Sequence, residues 1–346
     1  MFIKGEIMKS IYKKIGATFI SAIATVNVMA LDELNVAYFE EWPMPFEYAK
    51  QIGAYDEALG MKVNWKAFGT GTAMSAAMAS GDIHISVSQG VPPFIVAASS
   101  GSDFQIVDVA VSYADNDNCV VASGLEIDAS NASELAGKKV SVPIGTAAHY
   151  GYLKQMEHFG VDVSSMVMVD MDPPEGAAAF AQGEVDMFCG WGGSLRRSVE
   201  YGNVLLTGDE KTALGILVWD VTSVQASFAD ENTEVLTAFL EVTAAANAMW
   251  NSGDHHELML PHIAKDAGMD IADTADTMST FVFPSVGAQL GENWLGGSGE
   301  AFLKGVADVF VEAESIPSAR GSYANAINTG PLEEVAHKTI HRYMGK

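Results

Sequence analysis

Residues able to bind an anion are concentrated where predicted strands turn into helices. In the clearest case a β-rich run over 139–142 ends, Gly145 and Thr146 turn the chain, and helical apolar spacing begins. The first N–H groups of a helix lack intrahelical partners and lie at the positive end of its dipole. This turn therefore predicts an anion site that includes Thr146, Ala147 and His149. The alternative is an ordinary strand-to-helix turn, in which Thr146 only caps the helix and His149 only fixes the turn.

Three further turns have a similar composition. They occupy 68–74, 88–93 and 190–193, and each follows a strand-like run. Several helix N-termini at one edge of a sheet would surround a single small anion with neutral donors. The candidate ligand-binding residues in these three turns are Thr70, Gly71, Thr72, Gln89, Gly90, Val91 and Trp191.

A carboxylate in an apolar run indicates a cationic group in the same ligand. Asp220 lies within the strand-like run 216–224, where an unpaired charge would be costly. This cost favours ligand contact over the alternative, an aspartate that only forms a turn at the end of the strand. Glu40, in the loop after the first strand, is a second candidate carboxylate.

Aromatic residues lie beside the same loops. Trp42 and Trp191 are candidates for the walls of the site, although a tryptophan in a loop is as often simple packing. Together with Tyr38 and Phe39, Trp42 could also form an aromatic cage for a methylated ammonium group.

The order of the predicted elements explains how these turns meet. Strand-like runs alternate with helical spacing from 34 to 111 and again from 139 to 224, and the chain becomes mainly helical beyond about residue 230. We therefore predict an α/β fold with two units and a helical tail, with hinge candidates near 118–124 and 216–224. Ligands of open parallel sheets bind at the carboxyl ends of the strands, the edge where all these turns lie.

Composition limits the class of partner. The chain has 346 residues, 49% of them hydrophobic, and a formal net charge of −25. The length is sufficient for two domains with sizeable cores. The acidity argues against a nucleic-acid partner, because no basic face is available to neutralise phosphates.

Residues 1–30 have the pattern of an export signal. An apolar run over 15–29 is too short to span a bilayer comfortably, and 28–30 fits the small-residue rule for cleavage after Ala30. No cysteine lies near the cleavage point, which argues against a lipid anchor. We expect the mature protein to be exported and soluble, in the periplasm if the source is a bacterium. The basic residues ahead of the apolar run are Lys4, Lys9, Lys13 and Lys14.

The 2 cysteines, Cys119 and Cys189, lie in apolar strand-like runs. A disulfide and buried free thiols both fit this placement. They are too few for a zinc site, and we expect no metal, no cofactor and no catalytic residue. The GxSxG, HExxH and P-loop motifs are absent from the sequence. A nucleophilic triad of Cys189, His149 and Asp220 is disfavoured, because a thiol inside an apolar strand is inert.

The whole mature chain resembles the substrate-binding components of ABC importers for taurine and other sulfonates. These belong to the nitrate/sulfonate/thiamine-precursor-like group of periplasmic binding proteins. The most specific features are Val142-Pro143 with the spaced His149-Tyr150, and Asp220 on a returning strand. The chain departs from the taurine proteins in its Glu-Glu-Trp-Pro run at 40–43, which bears on how an amine is held. The other features that carry the resemblance are Val36-Ala37-Tyr38, Gly71, Ala79-Ser80-Gly81-Asp82, Pro93, Val96-Ala97-Ala98-Ser99, Thr146, Gly183, Asp186, Trp191 and Val221.

The resemblance implies a two-lobed, α/β periplasmic-binding-protein fold of type II, with two crossover strands as the hinge and a helical C-terminal segment. It implies a first lobe formed by 31–121 and 220–346 and a second lobe formed by 122–219. It further implies a monomer that closes around taurine and delivers it to an ABC permease with its ATPase subunit. The sulfonate would then meet the Gly/Thr turns, and the ammonium would meet Asp220.

Three other functions remain open on these residues. The first is a receptor for another sulfonate, and the second is a receptor for a methylated sulfonium or ammonium osmolyte. The third is an enzyme on the same fold. The pyrimidine-precursor synthase of this fold carries a cysteine-rich iron-binding cluster. Cys189 stands alone at the comparable place, so the sequence does not fit that enzyme.

Overall fold

The computed structural model describes residues 31–216 and 218–344, which form two β-sheets covered by helices. The predicted export signal, residues 1–30, lies outside the described residues. In chain order the strands are β1 (Glu33–Phe39), β2 (Lys62–Phe68), β3 (Ile85–Gly90), β4 (Phe104–Tyr113), β5 (Asp117–Ala122), β6 (Lys139–Ser141), β7 (Val167–Val169), β8 (Met187–Trp191), β9 (Gly202–Val204) and β10 (Val218–Gln225). The helices are α1 (Pro45–Gln51), α2 (Ala54–Leu59), α3 (Gly71–Ala79), α4 (Val91–Ser99), α5 (Ala147–Phe159), α6 (Pro173–Ala181), α7 (Gly192–Ser198), α8 (Gly208–Ala213), α9 (Ala226–Glu231), α10 (Thr233–Asn251), α11 (His256–Ala267), α12 (Ile271–Ser279), α13 (Val286–Gln289), α14 (Gly299–Glu312) and α15 (Gly330–Met344).

Both sheets are mixed and have five strands. The first has the order β2-β1-β3-β10-β4, in which β1 pairs in parallel with β2 and β3 while β10 is antiparallel to β3 and β4. The second has the order β7-β6-β8-β5-β9, in which β6 pairs in parallel with β7 and β8 while β5 is antiparallel to β8 and β9. The parallel pairs are joined through helices, as the predicted alternation of strands and helices requires.

The chain passes between the sheets at two places. It leaves the first sheet after Tyr113 and enters the second at Asp117, and it returns ahead of Val218. We define lobe 1 as 31–113 with 218–344, and lobe 2 as 117–216. The sequence had placed the first boundary after residue 121, within β5. Strand β5 belongs wholly to the second sheet, because its ladder partners are β8 and β9, and an apolar run alone does not reveal which sheet a strand joins.

The helical C-terminal segment predicted beyond residue 230 is confirmed, and it completes lobe 1. Helix α10 packs against α1, α2 and α15, and its Phe239 lies 4.7 Å from the ring of Tyr55 on α2. Helix α14 packs against α4 of the same lobe and also reaches α5 of lobe 2. The fold is thus the two-lobed α/β architecture with a helical C-terminal segment. None of the helices in the described part of the chain is long and apolar enough to cross a membrane.

A disulfide joins the two cysteines, an outcome that the sequence left open. Cys119 on β5 lies directly opposite Cys189 on β8 in the antiparallel ladder, and both are buried. Two residues earlier on β5 and two later on β8, Asp117 lies opposite Trp191. Because side chains alternate along a strand, the bridge shares a face of the sheet with these two residues and fixes the strands that carry them.

Replacing both cysteines by alanine is expected to lower the free energy of unfolding by about 2–4 kcal/mol, because the bridge spans a sequence separation of 70 residues and restricts the unfolded chain. Urea denaturation followed by circular dichroism measures this loss. Wild-type protein treated with a thiol reductant should match the double variant. A double variant as stable as the untreated wild type would show that the bridge contributes nothing to folding.

Candidate functional site

A pocket of about 300 Å³, counting the space at its mouth, lies between the two lobes. Most of its lining comes from the carboxyl ends of strands and the helices that follow them, the edge predicted from the sequence, while Asp117 and Asp220 come from the first residues of β5 and β10. The lining residues are Phe39, Trp42, Gly71, Gly90, Pro93, Tyr113 and Asp220 from lobe 1, and Asp117, Thr146, Ala147 and Trp191 from lobe 2.

Two of the helix N-termini at the pocket carry unused donors. In α3 the Thr70 hydroxyl accepts from Ala73 N, and in α5 the Thr146 hydroxyl accepts from His149 N. The N–H groups of the first two residues of each helix have no hydrogen-bond partner among the described residues: Gly71 and Thr72 in α3, Ala147 and Ala148 in α5. These N–H groups and the two helix dipoles provide neutral donors and positive potential for an anion.

Helix α4 contributes fewer backbone N–H donors to the pocket than α3 and α5 do. It begins at Val91, and Pro92 and Pro93 follow, so two of its first N–H groups are missing. The first turn of α4 therefore contributes mainly its dipole and the Pro93 ring, which lines the pocket.

Asp220 is 3% exposed and is held by two hydroxyl groups. Ser88 Oγ donates to its Oδ2 at 2.7 Å, and Tyr113 Oη donates to its Oδ1 at 2.8 Å. Ser88 in turn accepts from Trp42 Nε1 at 3.0 Å. Burial raises the pKa of Asp220 to about 7, and the two hydroxyl donors oppose that rise.

Asp117 is a second carboxylate in the pocket, and the sequence reading missed it. It is 4% exposed, and its Oδ2 has no hydrogen-bond partner among the described residues. Burial raises its pKa to about 7, the Lys211 ammonium opposes the rise, and the Asp220 carboxylate adds to it. Asp117 lies in the polar stretch 114–118, which reads as a solvated loop. The one available signal was its position at the start of β5, which resembles the position of Asp220 near the start of β10.

Aromatic rings form the rest of the wall. Trp42 packs edge-on against Tyr113 at 4.8 Å and lies 4.7 Å from Phe281. Trp191 meets Phe39 edge-on across the two lobes at 6.1 Å. The described lining contains neither Lys, Arg nor His, so its only ionisable carboxylates, Asp117 and Asp220, dominate the local charge.

Two predicted ligand residues point elsewhere. The Gln89 side chain is fully buried in lobe 1, where its Nε2 donates to Gly71 O at 2.8 Å and its Oε1 accepts from Ser223 Oγ at 2.9 Å. The His149 Nδ1 accepts from Gly145 N at 3.2 Å, so this side chain fixes the turn, as the alternative reading had it. Its ring stacks on Phe310 of α14 at 5.5 Å, and burial lowers its pKa to about 4.

Four more predicted residues lie beside the pocket lining rather than in it. Glu40 is exposed at the turn after β1, and Val91 is buried at the start of α4. The Thr70 hydroxyl caps α3 and shares a 3.0 Å hydrogen bond with the Thr72 hydroxyl. Gly71, Gly90, Thr146, Ala147, Trp42, Trp191 and Asp220 all line the pocket, and their roles toward a ligand stay predictions.

The two lobes also meet around the rim of the pocket. Arg197 of α7 pairs with Glu41 at 3.3 Å, and Arg196 pairs with Asp273 at 2.5 Å. Gly192 has a φ of 57°, and a Cβ there would lie 2.8 Å from the backbone oxygen of Glu41, so the close approach of the lobes here favours glycine. No group of three or more His, Cys, Asp or Glu side chains able to hold a metal occurs in the described part of the chain.

The chain is similar to known solute-binding proteins. The model of the family described as NMT1/THI5 like matches residues 44–255. The chain is 26% identical to the taurine-binding periplasmic protein of Escherichia coli (strain K12) over 222 residues, 64% of this chain and 68% of that protein. It is 25% identical to a putative aliphatic sulfonates-binding protein of Bacillus subtilis (strain 168), over 57% of this chain and 59% of that protein.

Solved structures share the fold. The alkanesulfonate-binding protein SsuA from Xanthomonas axonopodis pv. citri, bound to MOPS, superimposes with a TM-score of 0.70 at 18% identity, covering 86% of this chain and 98% of that one. The desulfurization enzyme DszB superimposes with a TM-score of 0.62 at 12% identity, covering 89% of this chain and 100% of that one. At these identities the likeness concerns the fold alone.

Ser88→Ala is expected to lower the free energy of unfolding by about 1–3 kcal/mol, because it leaves Trp42 Nε1 and Asp220 Oδ2 without their buried partner. Urea denaturation of the unliganded protein measures the loss. Ser88→Gly is the matched comparison, since Ser88 has a φ of 60° and glycine relieves the left-handed strain. Ser88→Gly should be less destabilised than Ser88→Ala by about 1 kcal/mol. Equal stability of Ser88→Ala and wild type would mean that the hydroxyl does not connect the two side chains.

Proposed function

Because the chain belongs to the NMT1/THI5-like family, we propose that it is an exported receptor that binds a small zwitterionic sulfonate, with taurine as the first candidate. The observation that carries the proposal is the chemistry of the pocket between the lobes. Its lining combines unused helix N–H groups with two buried carboxylates. Such a lining suits a ligand with an anionic end and a cationic end, separated by a short apolar linker.

The helix N-termini suit the sulfonate. A sulfonate stays anionic at any physiological pH and accepts hydrogen bonds in several directions. The free N–H groups of Gly71 and Ala147 come from opposite lobes, so an anion between them would favour the closed arrangement. Neutral donors avoid the desolvation cost of burying a Lys or Arg beside the ligand.

Asp220 suits the ammonium. A carboxylate offers about four lone-pair sites, and the hydroxyls of Ser88 and Tyr113 use two of them. The remaining sites can accept from a ligand ammonium, whose charge would also offset the cost of burying the carboxylate. Trp42 and Trp191 flank the linker between the two ends in this assignment.

We assign the receptor to the periplasm, as a monomer that delivers its ligand to an ABC permease with its ATPase subunit. The sequence of residues 1–30 and the names of the relatives support the assignment. The Cys119–Cys189 bridge is also consistent with it, because disulfides persist in oxidising compartments.

A methylated sulfonium or ammonium osmolyte is the second candidate. The rings of Phe39, Trp42, Tyr113 and Trp191 favour it, since aromatic faces attract such cations. An enzymatic function has weaker support, although a desulfurization enzyme has the same fold. Cys189 cannot serve as a nucleophile while it is bonded to Cys119.

Calorimetric titration of residues 31–346 with taurine, isethionate, dimethylsulfoniopropionate and nitrate tests the proposal. We expect taurine to bind most tightly, because it alone presents both a sulfonate and an ammonium. Isethionate lacks the ammonium, so its binding should be weaker by about tenfold or more, the loss of one hydrogen bond to a charged group. Preferential binding of dimethylsulfoniopropionate would favour the second candidate, and equal binding of isethionate would remove the role of Asp220.

Gly90→Ala is expected to weaken taurine binding by about fivefold or more, because the added methyl would lie 3.5 Å from both Ala147 Cβ and Asp220 Oδ1 and occupy ligand space. These are ordinary contact distances, so the fold should tolerate the change. Gly124→Ala is the matched control, since its methyl would meet nothing within 4 Å. Calorimetry on both variants measures the difference. Unchanged affinity in Gly90→Ala would place the ligand elsewhere.

A further inference from the structure

Asp117 has a buried acceptor that the protein itself leaves unused. Its Oδ2 has no hydrogen-bond partner among the described residues, although the residue is only 4% exposed and lines the pocket. Buried polar atoms in proteins almost always have a partner, and a buried carboxylate without one is costly. An unpartnered acceptor on a residue that lines a ligand pocket indicates a donor on the ligand.

Lys211 does not fill this role. Its ammonium is buried in lobe 2 and donates to the backbone carbonyls of Ala114 and Asp117, not to the Asp117 carboxylate. It therefore ties the first crossover connection to α8. Its charge lies near Asp117 but leaves the carboxylate free to meet the pocket.

Asp117 and Asp220 flank the two crossovers between the lobes. Asp117 is the first residue of β5 in lobe 2, and Asp220 is the third residue of β10 in lobe 1. We propose that Asp117 is a second ligand-recognising carboxylate, so that Asp117 and Asp220 together hold one primary ammonium group between the lobes. This inference rests on the proposed function and narrows it, because two acceptors require a cation with at least two N–H donors. A quaternary ammonium or a sulfonium has none.

The two carboxylates also couple binding to protons. Burial raises the pKa of Asp117 to about 7, and the groups that act on it are Lys211, which lowers the pKa, and Asp220, which raises it. The pKa of Asp220 is likewise raised to about 7, and that of Tyr113, the hydroxyl donor beside both, is raised far above neutrality. The raised pKa values favour protonation of the two carboxyls when no ligand is bound, and a bound ammonium favours their ionised forms. Binding releases protons to the buffer, so affinity should rise from pH 6 to pH 8.

The test is calorimetry of Asp117→Asn and Asp115→Asn with taurine. We expect Asp117→Asn to bind on the order of 10- to 100-fold more weakly, the effect of losing a hydrogen bond to a charged group. Asp115→Asn is the matched control, because Asp115 lies on the same crossover and also acts on Lys211, yet it is exposed and lies outside the pocket lining. Its affinity should stay within about twofold of wild type. An Asp117→Asn affinity equal to that of the control would overturn the inference.

Wild-type protein gives a second readout that needs no variant. N,N,N-trimethyltaurine should bind on the order of 10- to 100-fold more weakly than taurine, since it keeps the charge but loses every N–H donor. Titrations of taurine at pH 7 in buffers with different heats of ionisation should show net proton release. Equal binding of the two probes, or no release, would overturn the inference even if Asp117→Asn failed to fold.

β-Alanine separates this inference from the proposed function, because it keeps the ammonium and the linker but replaces the sulfonate by a carboxylate. Tight binding of β-alanine without taurine, with the loss in Asp117→Asn retained, would support the ammonium clamp and refute the sulfonate. Tight binding of taurine that Asp117→Asn leaves unchanged would refute the clamp alone. Binding of neither amine to the wild type would refute both.

Discussion

A buried carboxylate between two lobes is the constraint on which the site depends. Asp220 is removed from water at the start of β10, a strand hydrogen-bonded on both sides. Such burial is costly, and the hydroxyls of Ser88 and Tyr113 recover only part of the lost hydration. Ser88 adopts a left-handed backbone conformation with a φ of 60° while it donates this bond. The protein therefore accepts both backbone strain and charge burial at one point, a combination typical of functional sites.

The sheet topology explains why helix N-termini and carboxylates, which suit opposite charges of a ligand, line the same pocket. Strands β1, β2, β3, β6 and β8 all end at the edge where the lobes face each other, and helices α3, α4, α5 and α7 begin there with their positive ends toward the pocket. The antiparallel strand β10 runs the other way, and its early residues, including Asp220, reach the same edge. Strand β5 is the corresponding strand of the second sheet, and its first residue is Asp117. Parallel strands thus bring helix N-termini, and the two strands that follow the crossovers bring carboxylates.

Much of this arrangement could be predicted from the sequence, and the part that could not has a physical reason. The Gly/Thr turns at 69–72 and 145–147 and the carboxylate of Asp220 follow from local patterns, because strand ends, helix starts and an acidic residue in an apolar run are local signals. The direction of a side chain is not local. Gln89 turns into lobe 1 because Gly71 O and Ser223 Oγ lie there, residues distant from it in sequence. The proposed pairing of Asp117 with Asp220 depends on where the chain crosses between the lobes, and the sequence placed the first of these crossings after residue 121 rather than ahead of Asp117.

The Arg197–Glu41 ion pair at the rim of the pocket adds little to the attraction between the lobes. The ion pair of Arg197 with Glu41 joins half-exposed side chains, and such pairs contribute roughly 0–1 kcal/mol, less in salt. Gly192 and Gly193 allow Glu41 of lobe 1 to lie close to the start of α7 in lobe 2, but they add no attraction between the lobes. In the proposed function a ligand adds further interactions across the cleft: free N–H groups of both lobes around an anion, and a carboxylate of each lobe around a cation. Under this proposal, a ligand that satisfied only one lobe would leave the other lobe's buried groups unpaired, which couples recognition to closure.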